Sequence, residues 1–350
     1  MISLEQFANH WKIPLDPLKA VHQVYPFVLS RHFANLITAP EDPVWRQVVP
    51  DPRELDISDP FGLTDPLGEE SRSPVPNLVH RYPDRVLWIV SDLCAVHCRF
   101  CTRKRRWTHP VPLTDDLVHE ALDYIRKTPA IHDVLLSGGD PLMLPVDFLE
   151  SLVARVREIP HVRLIRLGTR VPFADPARIT PALVRCLAAY APLYINIHVN
   201  HPSEISKESR EACGLLADAG IPLGSQTVLL KGINDHAAVL GTLFTELLTL
   251  RVRPYYLLQM DLMQGTAHFR TPLSAGMELL ATLRHRISGL ALPHFVVDLP
   301  GGLGKVPMTA SAVVHMDSKC VVLENFAGSS SAYPLEPCEA ERLRRVLGLS

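Results

Sequence analysis

Three cysteines, Cys94, Cys98 and Cys101, stand in the spacing C-x3-C-x2-C within Asp92 to Arg106, a stretch reading DLCAVHCRFCTRKRR. Thiolates bind soft metals and iron–sulfur clusters, and three ligands this close can hold three irons of a four-iron cluster. The fourth iron would then lack a protein thiolate and be open to another ligand. With 7 cysteines among 350 residues, a chance triplet at this spacing is expected about 0.003 times in such a chain. A structural zinc site prefers four ligands in paired C-x2-C spacing and fits this string less well.

Other residues could join such a centre. An apolar run ends in Ser137-Gly138-Gly139-Asp140. Alone this is a turn, but downstream of a metal cluster its glycines allow close approach of the backbone to a ligand. Arg103-Lys104-Arg105-Arg106 has the composition of a nucleic-acid patch, yet no larger basic field supports it, and an arginine beside a cluster can also clamp a carboxylate bidentately. Arg81 and Arg85, four apart, suit a solvated face or a phosphate clamp. Lys305 in PGGLGKVP lacks the Walker spacing and the following Ser/Thr. A lysine presented by a glycine loop also meets the need of a Schiff base with pyridoxal phosphate (PLP).

These residues need a frame. Apolar runs at 86–90, 133–139, 163–169, 193–199, 222–230 and 252–261 alternate with helical patterns near 114–127, 146–158, 180–190, 203–219, 235–250 and 272–287. Thr114, Thr180, Ser203 and Asp235 are the expected caps. Six βα units in series predict parallel strands in an α/β fold, an incomplete (β/α)6 TIM-like barrel, with a doubly wound open sheet as the other arrangement. Active sites of barrels lie at the C-terminal strand ends. Cys94, Ser137 to Asp140, Arg170, His198, Gln226 and Asp261 gather there. Residues 1–85 read as a helical, Pro-rich wrapping region, 86–290 as the barrel, and 291–350 as a C-terminal extension. That extension carries an apolar strand, the glycine turn with Lys305, a strand or two and a closing basic helix.

Composition narrows the classes. A net charge of −2 gives no general push toward nucleic acid or anionic membrane. Seven cysteines, an odd count with three in one cluster, argue against a disulfide framework and for a reducing cytosol. The start, MISLEQFANHWKIPL, lacks signal-peptide features, and no run approaches the roughly 20 apolar residues of a membrane span. A soluble, cytoplasmic enzyme is expected.

A cysteine triplet followed by a strand ending in GGD resembles the radical S-adenosylmethionine (SAM) superfamily, whose open iron binds SAM. The strings HRYPDRVLW, LLSGGDPL, RLGTRVP, INIHVNHPSEI, RVRPYYLLQMDLMQGTAHFRTP and FVVDLPGGLGKVPM, with the cysteine stretch, resemble the PLP-dependent lysine 2,3-aminomutase family over about residues 20 to 326. The resemblance implies a 4Fe-4S cluster on Cys94, Cys98 and Cys101. It implies a SAM shell of Ser137, Gly138, Gly139, Asp140, His198 and Gln226, and PLP on Lys305 with Arg81 and Arg85 near the cofactor and its phosphate. Arg103 would pair with the substrate carboxylate, and Asp261 with Asp298 would hold the distal ammonium of L-lysine. The implied activity is an isomerase's, moving the α-amino group from C2 to C3 to give β-lysine. A one-electron reductant of flavodoxin or ferredoxin type is the implied partner, and a homo-oligomer is compatible with it.

Two departures matter. Long members of the family carry a zinc-binding cysteine tail and a cysteine after the fifth strand, where this chain has His236, and its tail has only Cys338. No zinc is therefore expected. The short form also resembles the branch that supplies β-lysine for modifying elongation factor P. Ornithine and arginine remain rival substrates; glutamate is disfavoured because the two aspartates would repel it. An RNA-modifying radical SAM protein is the distant alternative.

Overall fold

The computed structural model describes residues 1–325 and 327–349. Among them, nine strands form one sheet in chain order: β1 (Leu78–Tyr82), β2 (Arg85–Ser91), β3 (Asp133–Gly138), β4 (Leu164–Thr169), β5 (Leu193–His198), β6 (Leu223–Leu229), β7 (Val252–Gln259), β8 (His294–Leu299) and β9 (Gly304–Pro307). β2 to β8 pair in parallel, while β1 and β9 run antiparallel at the edges. The six expected strands are all present. β8, expected as the first strand of the C-terminal extension, is a seventh parallel strand lying beside β7. Its segment HFVVDL is buried beyond His294, as a strand covered on both faces must be. The return strand β9 then sets Lys305 directly opposite Asp298.

Side chains alternate across a strand, and here the alternation separates core from site. Val86, Trp88, Val134, Leu136, Ile165 and Leu167 face the surrounding helices in the main hydrophobic core. Leu87, Leu135, Gly168, Asn196, Val228 and Leu258 line a single cavity with residues of β8 and β9. A flat sheet could not bring its first and last strands to one cavity. The sheet is therefore curved into a nearly closed barrel, with β1 and β9 as its edges.

The helices follow the expected pattern with two local changes. Thr114 and Thr180 cap the helices Asp115–Lys127 and Pro181–Ala188. Ser206, not Ser203, caps Lys207–Asp218, because Pro202–Glu204 makes its own 3-10 turn and sends Glu204 into the interior. His236, not Asp235, holds the cap position of Ala237–Thr249, without a side-chain bond. The N-terminal region holds short helices up to Leu55 and then strand β1, and it packs Phe7, Phe27, Phe33 and Trp45 against Ala95 and Val96 of the cysteine stretch. Beyond the barrel, β10 (Val313–Met316), β11 (Cys320–Glu324) and β12 (Ser330–Pro334) form a small antiparallel sheet, followed by the helix Glu339–Leu347. Among the described residues no helix is long and apolar enough to cross a membrane.

Gly276 shows how closely β8 is covered. A Cβ there would run into the Phe295 ring, so the helix Leu273–Leu283 rests its backbone on the strand. Gly276→Ala is expected to lower stability by about 1–3 kcal/mol through overpacking, and Phe295→Leu in the same chain to recover most of it. A double-mutant cycle from urea melts checks this; additive effects would mean that the two residues do not meet.

Candidate active site

Residues 92–114, which carry the three cysteines, contain little regular structure beyond one 3-10 turn, Lys104–Trp107. The backbone is held by other segments. Gly139 N donates to Ser91 O at 2.5 Å and Asp140 N to Leu93 O at 2.7 Å, while His97 N reaches Val28 O at 2.9 Å and Arg99 N reaches Gln47 O at 2.8 Å. The glycines of SGGD have a structural duty here. Gly138 sits at φ +128°, and a Cβ on Gly138 or Gly139 would collide with the Ser91 or Leu93 carbonyl. They let the cysteine loop lie against the end of β3.

Charge does the rest. Glu54, fully buried, accepts from Arg99 Nε and Nη2, both at 2.8 Å, and from Lys104 Nζ at 2.5 Å. Glu69 accepts from Arg103 Nε at 2.9 Å and Nη2 at 2.6 Å, and from Arg105 Nη2 at 3.2 Å. Arg105 also pairs with Asp65 and Glu70, and Arg106 with Asp92. The basic run is thus folded onto carboxylates rather than spread as a patch for nucleic acid. Arg103 does line the cavity, with one edge held by Glu69 and its Nη1 donating to Gly138 O at 3.1 Å. Neither Glu54 nor Glu69 stood out in the sequence; each is an acidic residue of the Pro-rich region whose partner lies more than thirty positions away.

The cavity, of about 300 Å³, is walled by Cys94, Cys98 and Cys101, by Ser137 to Asp140, by His198 and Gln226, and by Asp261, Asp298 and Lys305. Residues some 200 positions apart in sequence thus share one small space. His198 and Gln226 are neighbours across β5 and β6. Asp298 takes Lys305 Nζ on one oxygen and Arg81 Nη1, at 3.1 Å, on the other. Arg81 Nη2 is bound by Leu67 O at 2.7 Å, and its Nε is buried without a hydrogen-bond partner. Tyr82 links two levels of the barrel: its hydroxyl accepts from Lys305 N at 2.7 Å, and the Arg85 guanidinium lies 4.0 Å from its ring centre. Arg85 is not on the cavity wall. It sits at the N-terminal end of β2, paired with Asp84 and close enough to Tyr255 to act on it electrostatically, as is Arg166.

The sequence placed Asp140 in the ligand shell, and the structure shows its carboxylate in use. It accepts from Thr169 Oγ1 at 2.7 Å, Arg170 N at 2.7 Å and Leu142 N at 3.0 Å, holding the loop after β4. Arg170 Nη1 donates to Cys98 Sγ at 2.7 Å, and Arg103 N to Cys101 Sγ at 3.3 Å.

Enclosure shifts the titration of these groups. Burial drives the Cys94 thiol well up and Cys101 up to about 11, so both are protonated without a metal to bind. Burial and the nearby Arg170 push His198 down to about 3, leaving a neutral imidazole. Asp261 is raised to about 8 by burial and by the Asp298 charge. Burial would lower Lys305, but Asp298 opposite more than offsets it and the ammonium is favoured.

The donor set suits the groups that the sequence resemblance implies. Among the described residues no three His, Cys, Asp or Glu side chains form a single-ion site. A four-iron cluster asks for something else, since each thiolate takes a different iron. Two nitrogen donors already reach the sulfurs. Lys305 Nζ and the unpartnered Arg81 Nε are the kind of groups that an aldehyde cofactor with an acidic substituent would engage.

Comparison with known proteins agrees with this geometry. Residues 88–240 match the Radical SAM superfamily model and residues 280–344 the Lysine-2,3-aminomutase model. The chain is 48% identical over 310 residues to L-lysine 2,3-aminomutase of Clostridium subterminale, covering 87% of this chain and 74% of that protein. It is 45% identical over 332 residues to L-lysine 2,3-aminomutase of Fusobacterium nucleatum subsp. nucleatum, covering 92% and 78%. Glutamate 2,3-aminomutase of Clostridioides difficile is 39% identical over 323 residues, with 91% and 76% covered.

The aspartate pair has a measurable consequence. In the unfolded chain an aspartate ionises near pH 4, whereas Asp261 in the folded protein keeps its proton to about pH 8. Between those values only the native state holds the proton, so stability from this site falls as pH rises from 4 to 8. Asp261→Asn should therefore gain melting temperature over wild type at pH 8.5 and little at pH 4.5. Equal displacement at both pH values in thermal melts would show that Asp261 does not titrate in this window.

Proposed function

The chain belongs to the lysine 2,3-aminomutase family of radical SAM enzymes, and on that footing we propose an isomerase that moves the α-amino group of L-lysine from C2 to C3, giving β-lysine. One arrangement carries this conclusion: the Asp261/Asp298 pair stands beside Lys305 in the same cavity as the three cysteines. A four-iron cluster would be held by Cys94, Cys98 and Cys101. SAM would lie along Ser137 to Asp140, His198 and Gln226, and PLP on Lys305. When bound, these groups would supply a radical able to take hydrogen from an unactivated carbon and an aldehyde carbon able to carry the migrating nitrogen.

The protein's own part is to bind, orient and exclude water. With Lys305 committed to the cofactor, Asp298 loses one of its two cations and keeps Arg81. Asp261 beside it is held protonated by burial and by the Asp298 charge. A distal ammonium takes the place that Lys305 leaves, and binding it makes ionised Asp261 the favoured form. A glutamate side chain would add a third carboxylate to the same space. Arg103, with Nε and Nη2 on Glu69 and Nη1 on Gly138 O, keeps one further N–H on each Nη for the substrate carboxylate. Held at both ends, lysine would be fixed in one orientation for the reaction.

The expected partners of PLP and its phosphate are Arg81 and Arg85. Tyr82 lies between Lys305 and Arg85, and Arg85 and Arg166 both act electrostatically on Tyr255. Arg81, bound to Asp298, acts on the ammonium site and the cofactor together. A one-electron reductant of flavodoxin or ferredoxin type would serve the cluster. No zinc enters this reading, in which His236 is an exposed side chain.

The decisive experiment is anaerobic incubation of the reconstituted protein with SAM, PLP, a strong reductant and L-lysine. β-Lysine is expected; rearrangement of another amino acid with none of lysine would overturn the substrate. Lys305→Ala should lose the long-wavelength absorbance of lysine-bound PLP, and an unchanged spectrum would refute that assignment. Asp298→Asn should raise the KM for lysine roughly ten- to a hundredfold, the loss of one charge-assisted hydrogen bond. Unaltered kinetics would remove it from the ammonium site.

A further inference from the structure

Arg170, just beyond β4, has no task in the reaction proposed above, yet both of its Nη groups are held by hydrogen-bond partners. Its guanidinium lies 4.8 Å from the Phe33 ring centre and 5.8 Å from that of Phe100. Nη2 donates to Gln47 Oε1 at 2.7 Å and to Glu204 Oε2 at 2.9 Å, and both partners are completely buried. Glu204 is itself held, its other oxygen accepting from Asn200 N and His201 N, each at 2.9 Å. Nη1 is thereby left to reach Cys98 Sγ at 2.7 Å. Charge compensation alone does not call for that contact, because Glu204 already neutralises the arginine. What the network adds is a cationic N–H donor aimed at a cysteine sulfur.

Hydrogen bonds to ligand sulfur and nearby charge are two of the levers by which a protein sets an iron–sulfur potential. Both act in one direction here. A donor at the sulfur, with the positive end of the Arg170–Glu204 pair turned toward it, favours the state carrying more negative charge, which is the reduced one. We propose that Arg170 is a positioning residue that raises the reduction potential of a four-iron cluster on Cys94, Cys98 and Cys101, by donating its Nη1–H to Cys98 Sγ. Glu204, Gln47, Phe33 and Phe100 keep that donor in place. This rests on the cluster assignment above and adds a cause for the ease with which the cluster would accept its electron. Lysine would not serve in its stead: an ammonium is a point charge without a fork, and cannot hold Glu204 and reach Cys98 in the same way.

The test uses anaerobically reconstituted wild type, Arg170→Lys, and the double variant Arg170→Gln/Glu204→Gln, which removes both charges of the buried pair together. Iron content and the electron paramagnetic resonance signal of the reduced protein establish the cluster. Redox titration of that signal gives the midpoint, and SAM affinity is measured on the same samples. Both variants are expected to keep the cluster and to titrate at a more negative potential, the double variant further than Arg170→Lys. At the wild-type midpoint, the ratio of reduced to oxidised cluster should fall about tenfold in the double variant, about 59 mV for a one-electron couple. An unmoved midpoint in cluster-loaded Arg170→Lys overturns the proposal. So does weakened SAM binding with the midpoint unchanged, which would make Arg170 a contact for SAM. A wild type that takes up iron without any four-iron signal overturns the functional reading itself.

Discussion

Buried positive charge around the cysteine loop is the constraint on which the rest of the structure depends. Arg99, Lys104, Arg103 and Arg170 all lie within the protein, close behind or beside the three thiols. An unpaired charge in such a place costs several kcal/mol, and removing one partner of a buried pair costs about 3–5 kcal/mol. Three glutamates meet the need: Glu54 for Arg99 and Lys104, Glu69 for Arg103, Glu204 for Arg170. Glu54 and Glu69 come from the region before the barrel, and Glu204 from the turn after β5. The loop has few backbone ladders of its own, so its shape is set largely by where these carboxylates stand. The N-terminal region is therefore part of the site rather than a cover over the barrel.

A second balance operates at the other end of the cavity. Asp261, Asp298, Arg81 and Lys305 share one buried place, where Asp298 meets two cations and the ionisation of Asp261 is suppressed by its neighbour and by burial. Any chemistry that occupies Lys305 disturbs that balance and leaves room for one cation. In the function proposed above, selectivity for a cationic amino acid and readiness to bind a cofactor would be two aspects of the same charge count. The relatives include enzymes named for lysine and one named for glutamate, and a pair of carboxylates at this place accords with the former.

The two ends meet because of strand alternation and one hairpin. Leu135 and Ser137, or Asn196 and His198, face inward by the period of two, while their neighbours enter the hydrophobic core. The β8–β9 register places Lys305 against Asp298. Chemistry and packing therefore use different faces of the same strands, so that a polar site can occupy the interior without weakening the core that surrounds it.

Much of this was legible in the sequence. The cysteine spacing, the six apolar runs with their intervening helices, the gathering of polar residues at strand ends, and Lys305 after a glycine turn all depend on neighbours within a few positions. Local pattern records such features directly. The basic run Arg103 to Arg106 was not legible in this way: its meaning depended on Glu54, Glu69 and Asp92, which only the folded chain brings near. The glycines of SGGD were visible as glycines, but the carbonyls that require them belong to the preceding loop. In the sequence Arg170 shows only as a polar strand end, and its contact with Cys98 arises from partners that distant segments contribute. Spacing along the chain determined which residues could bind metal or carry a cofactor. Tertiary structure decided which charges are paired, because pairing depends on distance in space, and in a buried site distance sets the energy.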